Sequence, residues 1–329
     1  MAAIERHWYG IGPYHLLLIP ASWLFRMLSA LRRFMYKSGM LGRHRLPVPV
    51  IVIGNISAGG TGKTPLTLAI ARRLTEEGHH PVIVSRGYGG SGRMQQVAHG
   101  ATAAEVGDEP LLMARRNICP VWVGQDRAAA ARLALQSYPE CDVLLCDDGL
   151  QHYRLMRDVE VAVVDGARRF GNGQMLPAGP LREPLSRLKS VDAVVVNGGA
   201  AEPGQYAMRL SGDVFYNLAA PDRTAIASDL RHLRLHAVAG IGNPRRFFDH
   251  LRAMDLGFTE HAFADHHPYL KSDLAFDACD ALLLTEKDAV KCAPFADERY
   301  WVLRVDALID PALIDLILRK IALHGRKTA

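Results

Sequence analysis

No acidic residue occurs between Glu5 and Glu76, although the chain of 329 residues carries 34 Asp and Glu. The same window holds ten cationic residues: Arg6, Arg26, Arg32, Arg33, Lys37, Arg43, Arg45, Lys63, Arg72 and Arg73. A formal net charge of +5 therefore conceals a basic first quarter and a net negative remainder. Such asymmetry points to an anionic partner, either nucleic acid or an anionic membrane. C-x-x-C pairs are also missing. The five cysteines, at 119, 141, 146, 279 and 292, are odd in number and unclustered. That argues for a reduced, cytosol-facing compartment in which most of them serve as buried small hydrophobes. Internal repeats and low-complexity tracts are absent. A hydrophobic content of 49% and a charged content of 22% describe an ordinary globular chain, long enough for two domains.

An unbroken apolar run is lacking too. From His7 to Phe25 no residue is charged, yet a spanning helix needs about 20 apolar residues. Pro13, Pro20 and Arg26 interrupt this stretch. A signal peptide is disfavoured, because no small-residue cleavage site follows and the basic cluster lies on the wrong side. Ser22, Arg26, Ser29, Arg33 and Lys37 instead fall on one stripe of a helix, with Leu24, Phe25, Met27, Leu28, Leu31, Phe34 and Met35 around the rest. The pattern predicts an interfacial amphipathic helix with a cationic face for anionic lipid. A core helix capping the first domain is the alternative. Nucleic acid is disfavoured, because no recognised RNA or DNA module surrounds the charges.

What is present begins with "VIGNISAGGTGKTPLTLAI", residues 52–70. Val48 to Ile53 has the apolar, β-branched pattern of a buried parallel strand. Gly59, Gly60 and Gly62 permit a sharp turn with inward N–H groups, and a helix N-terminus follows. Together with Thr61 they form a phosphate loop, in which Lys63 would reach the β- and γ-phosphates and the Thr64 hydroxyl would meet Mg²⁺. Ser57 stands at the first position of G-x-x-x-x-G-K-[ST], so the match is incomplete. The loop indicates a nucleoside triphosphate without separating a kinase from a switch or an ATP-driven machine.

Alternating strands and helices follow the loop. Strands are expected at "HPVIVS", "CPVWV", "CDVLLCDD", "VEVAVVDG" and "VDAVVVNGG", with a helix from about Asp126. The fold class is thus α/β, a parallel P-loop sheet with helices on both faces and ligands at the strands' carboxyl ends. A second, smaller α/β unit is expected from "LHAVAGIGNPRRFF" through "DALLLTEKDAVKC" to "YWVLRVDAL". The resulting division is 1–40 for the membrane-associated helix, 41–210 for the kinase-like domain and 211–305 for the smaller domain. A last helix over 311–325 is expected to return to the first domain.

Asp147 and Asp148 end an apolar strand, where P-loop enzymes hold Mg²⁺. "GDEP" adds Asp108 and Glu109, which could accept a proton or hold a metal. His266 and His267 lack further ligands at metal spacing, and one of them near Asp108 could complete an acid–base dyad, which spacing alone does not show. A GTPase-like switch would need a base-reading N-K-x-D. The nearest approach is "TEKD" at 285–288, in the second unit. A membrane-bound binding protein without turnover is disfavoured by the carboxylate-rich strand ends.

"GNISAGGTGKTP", "SRGYGG", "GDEP", "GQDR", "CDDGLQH", "GNGQMLPAGPLREP", "GIGNPRRFF", "FADHHPY" and "TEKDAVK" together resemble the tetraacyldisaccharide 4′-kinase family, the lipid A 4′-kinases of Gram-negative bacteria. The resemblance runs from the N-terminal hydrophobic helix to about Lys291. It implies transfer of the ATP γ-phosphate to the 4′-hydroxyl of a tetraacylated glucosamine disaccharide 1-phosphate, giving lipid IVA. It also implies a P-loop fold with two α/β domains, held at the cytoplasmic face of the inner membrane by the N-terminal helix. The family tolerates a first loop position other than Gly. Its Asp–His pair maps to Asp108 and His266, and Lys63, Thr64, Asp147 and Asp148 match its phosphate and Mg²⁺ positions. Asp108 is then the candidate proton acceptor, tuned by His266. Arg86, Arg127 and Arg182 are candidate partners for phosphate or for the substrate's 1-phosphate, with Glu109 and Gln151 as further candidate contacts. No protein partner is implied.

Overall fold

A computed structural model describes residues 8–10 and 12–324, with the side chains of 13–15 left aside. Arg6 and the rest of residues 1–7, and residue 325 of the expected last helix, lie outside the described residues.

Two sheets organise the chain. The first contains β1 (Val50–Gly54), β2 (Pro81–Ser85), β3 (Gln95–Gln96), β4 (Val121–Val123), β5 (Val143–Asp147), β6 (Val159–Asp165), β7 (Ala193–Asn197) and β8 (Tyr206–Ser211). The second contains β9 (Val214–Asn217), β10 (Thr224–Ile226), β11 (Leu235–Ala239), β12 (Phe258–Ala262), β13 (Ala281–Thr285) and β14 (Tyr300–Leu303). β15 (Asp306–Ile309) returns to the first sheet.

The first sheet runs β15-β8-β7-β6-β1-β5-β2-β4-β3. All five residues of β1 and of β5 are buried. This accounts for their unbroken apolar sequences, because a central parallel strand is covered on both faces. β1 pairs with β5 in a register that sets Ile53 beside Asp147. The phosphate loop and the acidic strand end therefore emerge side by side at the sheet's carboxyl edge, where the strand order turns and ligands bind.

The second sheet runs β10-β9-β14-β13-β11-β12, with β11 to β14 parallel. "YWVLRVDAL" is not one strand of this unit, as the sequence suggested. Tyr300–Leu303 stays in the second sheet, whereas Asp306–Ile309 pairs antiparallel with β8 in the first. The chain crosses between sheets beside β8 on the way out and beside β15 on the way back. The helix Pro311–Ile321 then buries Leu313, Ile314, Ile317 and Ile321 in the first core.

The N-terminal helix spans Pro13–Lys37. Pro13 and Pro20 do not break it. Pro13 occupies the first turn, where its missing N–H is no loss, and Pro20 lies inside the helix with an exposed side chain. None of the described helices is long and apolar enough to cross a membrane. The polar stripe also faces differently from expectation. Ser22 is buried, donating to the Met175 carbonyl at 2.7 Å and accepting from the Ala178 N–H at 2.9 Å. Ser29 and Arg33 are half-buried, and Phe25 packs on the first sheet's core. Leu16, Leu17, Trp23, Leu24, Met27, Leu28, Leu31 and Phe34 are exposed. Part of the polar stripe thus docks the helix, and the apolar face points outward.

Candidate functional site

Gly62 begins the P-loop helix Lys63–Glu76 in a left-handed conformation, φ +95°. A Cβ there would also stand 2.3 Å from the Asn197 Nδ2. The carbonyls around the loop are pinned by side chains. Asn55 Nδ2 donates to the Gly59 carbonyl at 3.3 Å, Arg168 to that of Gly60 at 2.6 Å, and Asn197 to that of Thr61 at 2.9 Å. Among the described residues, the N–H groups of Gly59, Gly60, Thr61 and Gly62 have no acceptor. Four free amides at a helix N-terminus form an anion nest. Ser57 does not enter it. It bridges to Leu181, while the Ala58 N–H donates to the Pro180 carbonyl at 2.7 Å.

Beside the nest, the Lys63 ammonium lies 3.5 Å from Asp148 Oδ1. Asp147 accepts from Thr67 Oγ1, on the same helix, at 3.1 Å. Asp147 Oδ2 and Asp148 Oδ1 are buried without a hydrogen-bond partner. Burial, then the nearby carboxylates of Glu109 and Asp148, push Asp147 up to about 7. Asp148 is also pushed up by burial, but Lys63, Arg182 and Arg127 outweigh that and hold it below the ordinary carboxylate range. Two adjacent carboxylates, each with a buried oxygen that lacks a hydrogen-bond partner, next to an anion nest and buried Thr64, suit a hard divalent cation. Mg²⁺ takes one or two carboxylates and completes its shell with water and phosphate oxygens.

Asp108 does not end a strand. It opens the helix Asp108–Arg115 on the first-sheet side. His266, from the loop after β12, places Nδ1 at 2.9 and 3.1 Å from the two Asp108 oxygens. His267 meets Asp273 instead, at 3.2 Å. Burial raises Asp108, but the His266 hydrogen bond and the Lys287 ammonium bring it below its ordinary value. The same hydrogen bond raises His266, against burial and Lys287.

The remaining candidates take varied positions. Arg182 approaches Asp148 at 3.5 Å and Arg86 is exposed just beyond β2. Arg127 is buried and donates to the Asp148 carbonyl at 2.8 Å, so it braces the strand end. Gln151 is held by the Asn55 carbonyl at 3.0 Å. Glu109 pairs with Lys287 at 3.1 Å.

Sequence reasoning missed Lys287, Arg168 and the wall of the cleft. Lys287 sits within "TEKD", which resembles a base-reading motif and belongs to a family block, neither of which gives the lysine a role. In the fold, Thr285 caps its own helix by accepting from the Asp288 N–H, and the Asp288 carboxylate accepts from the Thr285 hydroxyl at 2.7 Å and from the Gly240 N–H at 3.0 Å. Arg168 spans the two sheet units, donating to the Gly60 carbonyl and, at 2.9 Å, to that of Gly242. Asp165 orients Arg168 at 3.1 Å and Arg246 of the second unit at 2.9 Å. The cleft between the units has a volume of about 460 Å³ and is lined by the loop and by Ile241, Asn243, Phe247 and His250. No residue type in "GIGNPRRFF" announces that role. Only its position opposite the loop does.

Gly242 carries a testable constraint. A Cβ there would stand 2.5 Å from the Gly60 nitrogen. Gly242→Ala is expected to hold the second unit off the loop and lower kcat on the order of 10²-fold, the cost of a misplacement of about 1 Å. Circular dichroism should show an unchanged fold. Wild-type kcat in this variant would mean that the close approach is not needed for turnover.

A family model described as tetraacyldisaccharide-1-P 4′-kinase matches residues 14–322. A tetraacyldisaccharide 4′-kinase of Methylobacillus flagellatus is 48% identical over 97% of this chain and 95% of its own. That of Azoarcus sp. strain BH72 is 50% identical over 100% of this chain and 98% of its own. Among solved structures, LpxK from Aquifex aeolicus in complex with ATP, described as an "apo" form, superposes with a TM-score of 0.79. It is 28% identical and covers 94% of this chain and 99% of its own.

Proposed function

This chain belongs to the tetraacyldisaccharide-1-P 4′-kinase family, and on that footing we propose how its cleft carries out the reaction. The enzyme transfers the γ-phosphate of ATP to the 4′-hydroxyl of tetraacyldisaccharide 1-phosphate, giving lipid IVA. The observation that carries this reading is that one cleft is lined both by the free-amide phosphate nest and by Glu109 and Lys287, which adjoin buried Asp108 and its half-buried partner His266.

The four free amides and Lys63 hold the β- and γ-phosphates. Thr64, Asp147 and Asp148 would hold Mg²⁺. When bound, it draws charge from the phosphate oxygens as the transferring group loosens. Asp108 takes the proton of the 4′-hydroxyl. The hydroxyl oxygen bonds to the γ-phosphorus, the bond from that phosphorus to the bridging oxygen breaks, and ADP leaves. His266 orients the Asp108 carboxylate. Arg182 and exposed Arg86 remain available for substrate phosphate, whereas Arg127 acts through the Asp148 backbone.

Residues 41–210, with the returning C-terminal helix, form the kinase domain, and 211–305 form the smaller domain that closes over the site. The contacts of Arg168 with both support this. ATP consumption with and without the lipid acceptor tests the activity. A kinase consumes ATP only with the acceptor, whereas a switch or a binding protein does not respond to it.

The outward apolar face of Pro13–Lys37, flanked by exposed Arg26, Arg32, Lys37, Arg43 and Arg45, supports peripheral binding to an anionic membrane. Because ATP is the donor, the face in question is the cytoplasmic face of the inner membrane. Combined Trp23→Asp, Leu24→Asp and Leu31→Asp replacement is expected to weaken liposome binding at least about 100-fold, since each side chain contributes roughly 1.5–3 kcal/mol when buried. The variant's kcat on detergent-dispersed acceptor should stay near wild type. Undiminished flotation with liposomes would exclude this face as the membrane contact.

A further inference from the structure

Lys287 begins the helix that follows β13 and reaches across the cleft. Its ammonium lies 3.1 Å from Glu109 Oε1, 3.0 Å from Asp265 Oδ1, 4.0 Å from Asp108 Oδ2 and 3.3 Å from His266 Nε2. A charged lysine has three donors and no acceptor. Facing it, His266 Nε2 must therefore accept, and the imidazole proton must sit on Nδ1. That nitrogen is the one within 2.9 Å of Asp108. Asp265 also brings a carboxylate toward Nε2. Its Oδ2 stands 3.8 Å away, beyond hydrogen-bond reach. Its Oδ1 is occupied by Lys287 and by the His266 N–H at 3.1 Å. The remaining neighbour of the ring is Tyr88, edge-on at 5.1 Å between centroids.

We propose that Lys287 is a positioning residue that keeps Nε2 of His266 unprotonated, so that the ring faces Asp108 across the cleft as the neutral Nδ1–H form. This rests on reading Asp108 and His266 as the acid–base pair. In that form, His266 donates to Asp108 and offers no free nitrogen, so the carboxylate alone receives the hydroxyl proton. An imidazolium would set an Nε2–H against the ammonium. Protonating His266 therefore expels Lys287 and loosens the contact with Glu109 that joins the two units.

Lys287 also bears on how the pair titrates. Its own pKa is raised. Burial opposes this, but Glu109, Asp108 and Asp265 outweigh burial and keep it charged. The cations near Asp108 are His266, Lys287 and Lys291, and those near His266 reduce to Lys287. Removing Lys287 removes a charge that opposes protonation of both partners. Both then protonate at higher pH, and the acid limb of kcat moves up.

Long-range proton–nitrogen correlation on the full chain labelled with ¹⁵N-histidine reads the tautomer directly, with His266 assigned by its loss in His266→Ala. Wild type is expected to show Nδ1–H at neutral pH. Lys287→Met is expected to carry the imidazolium form to higher pH, with the acid limb of kcat raised by about one pH unit, as expected on losing a charge within roughly 4–6 Å. Lys287→Arg, charged and also donor-only, should keep the limb in place. An Nε2–H signal in wild type overturns the proposal even if no variant folds. A pH of Nε2 protonation unchanged in Lys287→Met overturns it too. If Nε2 protonation responds but Asp108→Ala retains the wild-type acid limb, the assignment of Asp108 as base fails while the role of Lys287 stands.

Discussion

Lys63→Ala should leave a folded chain whose kcat at saturating ATP has fallen on the order of 10²–10³-fold, the cost of losing one donor to developing charge. The side chain is nearly buried, and its ammonium sits between the amide nest and Asp148. Its removal takes a charge from the transferring phosphate and leaves Asp148 without the cation that most strongly opposes its burial. The loop itself should survive, because Asn55, Arg168 and Asn197 pin its carbonyls independently of Lys63. Thermal unfolding should therefore change little. Near-wild-type kcat would exclude Lys63 as the phosphate ligand.

Asp108→Ala should lower kcat by about 10²–10⁴-fold, the range for a lost general base. KM for either substrate should move far less, because the interaction is used mainly in the transition state. His266→Ala should cost less. The double variant should fall short of the product of the single losses, since the two side chains act as one unit. Stability carries a pH signature as well. Asp108 has a lowered folded pKa, so its contribution is present above the ordinary carboxylate pKa and lost as pH falls through the folded value. His266 has a raised folded pKa, so its contribution is present below the ordinary imidazole pKa and lost as pH rises through the folded value. In Asp108→Ala both dependences should flatten. If the variant instead loses Mg²⁺–ATP binding and recovers kcat at high magnesium, Asp108 is a metal-site residue. Glu109, Asp148 and His267 would then be tested as the base.

The local parts of this site were readable because one stretch of chain encodes each of them. The loop follows directly on β1, and an apolar strand ending in Asp147 can pair with β1 only so that its carboxylate emerges beside the loop. The bridge across the cleft was not readable in the same way. Asp108 and His266 are 158 residues apart, and Glu109 and Lys287 are 178 apart. No periodicity links them: a histidine beside Asp108 was one possibility among the residues, and only the family resemblance assigned the pair to His266. Lys287 escaped notice because a lysine at a helix start is ordinary until its neighbours are known. The N-terminal helix was legible as an amphipathic helix, but not the direction in which its faces point. A polar stripe marks one face of a helix as different, but Ser22 can satisfy its hydroxyl on a protein loop as well as in water. The direction of the face was therefore undetermined. In the same way, β15 has a strand pattern that fits either sheet, and only pairing with β8 assigns it.

The most direct test follows the phosphate itself. Purified chain, γ-labelled ATP and tetraacyldisaccharide 1-phosphate should yield a bis-phosphorylated lipid with the label on the 4′-oxygen, one label per ADP formed, and almost none with Asp108→Ala. Label released as inorganic phosphate, or found on any oxygen other than the 4′, would contradict the account.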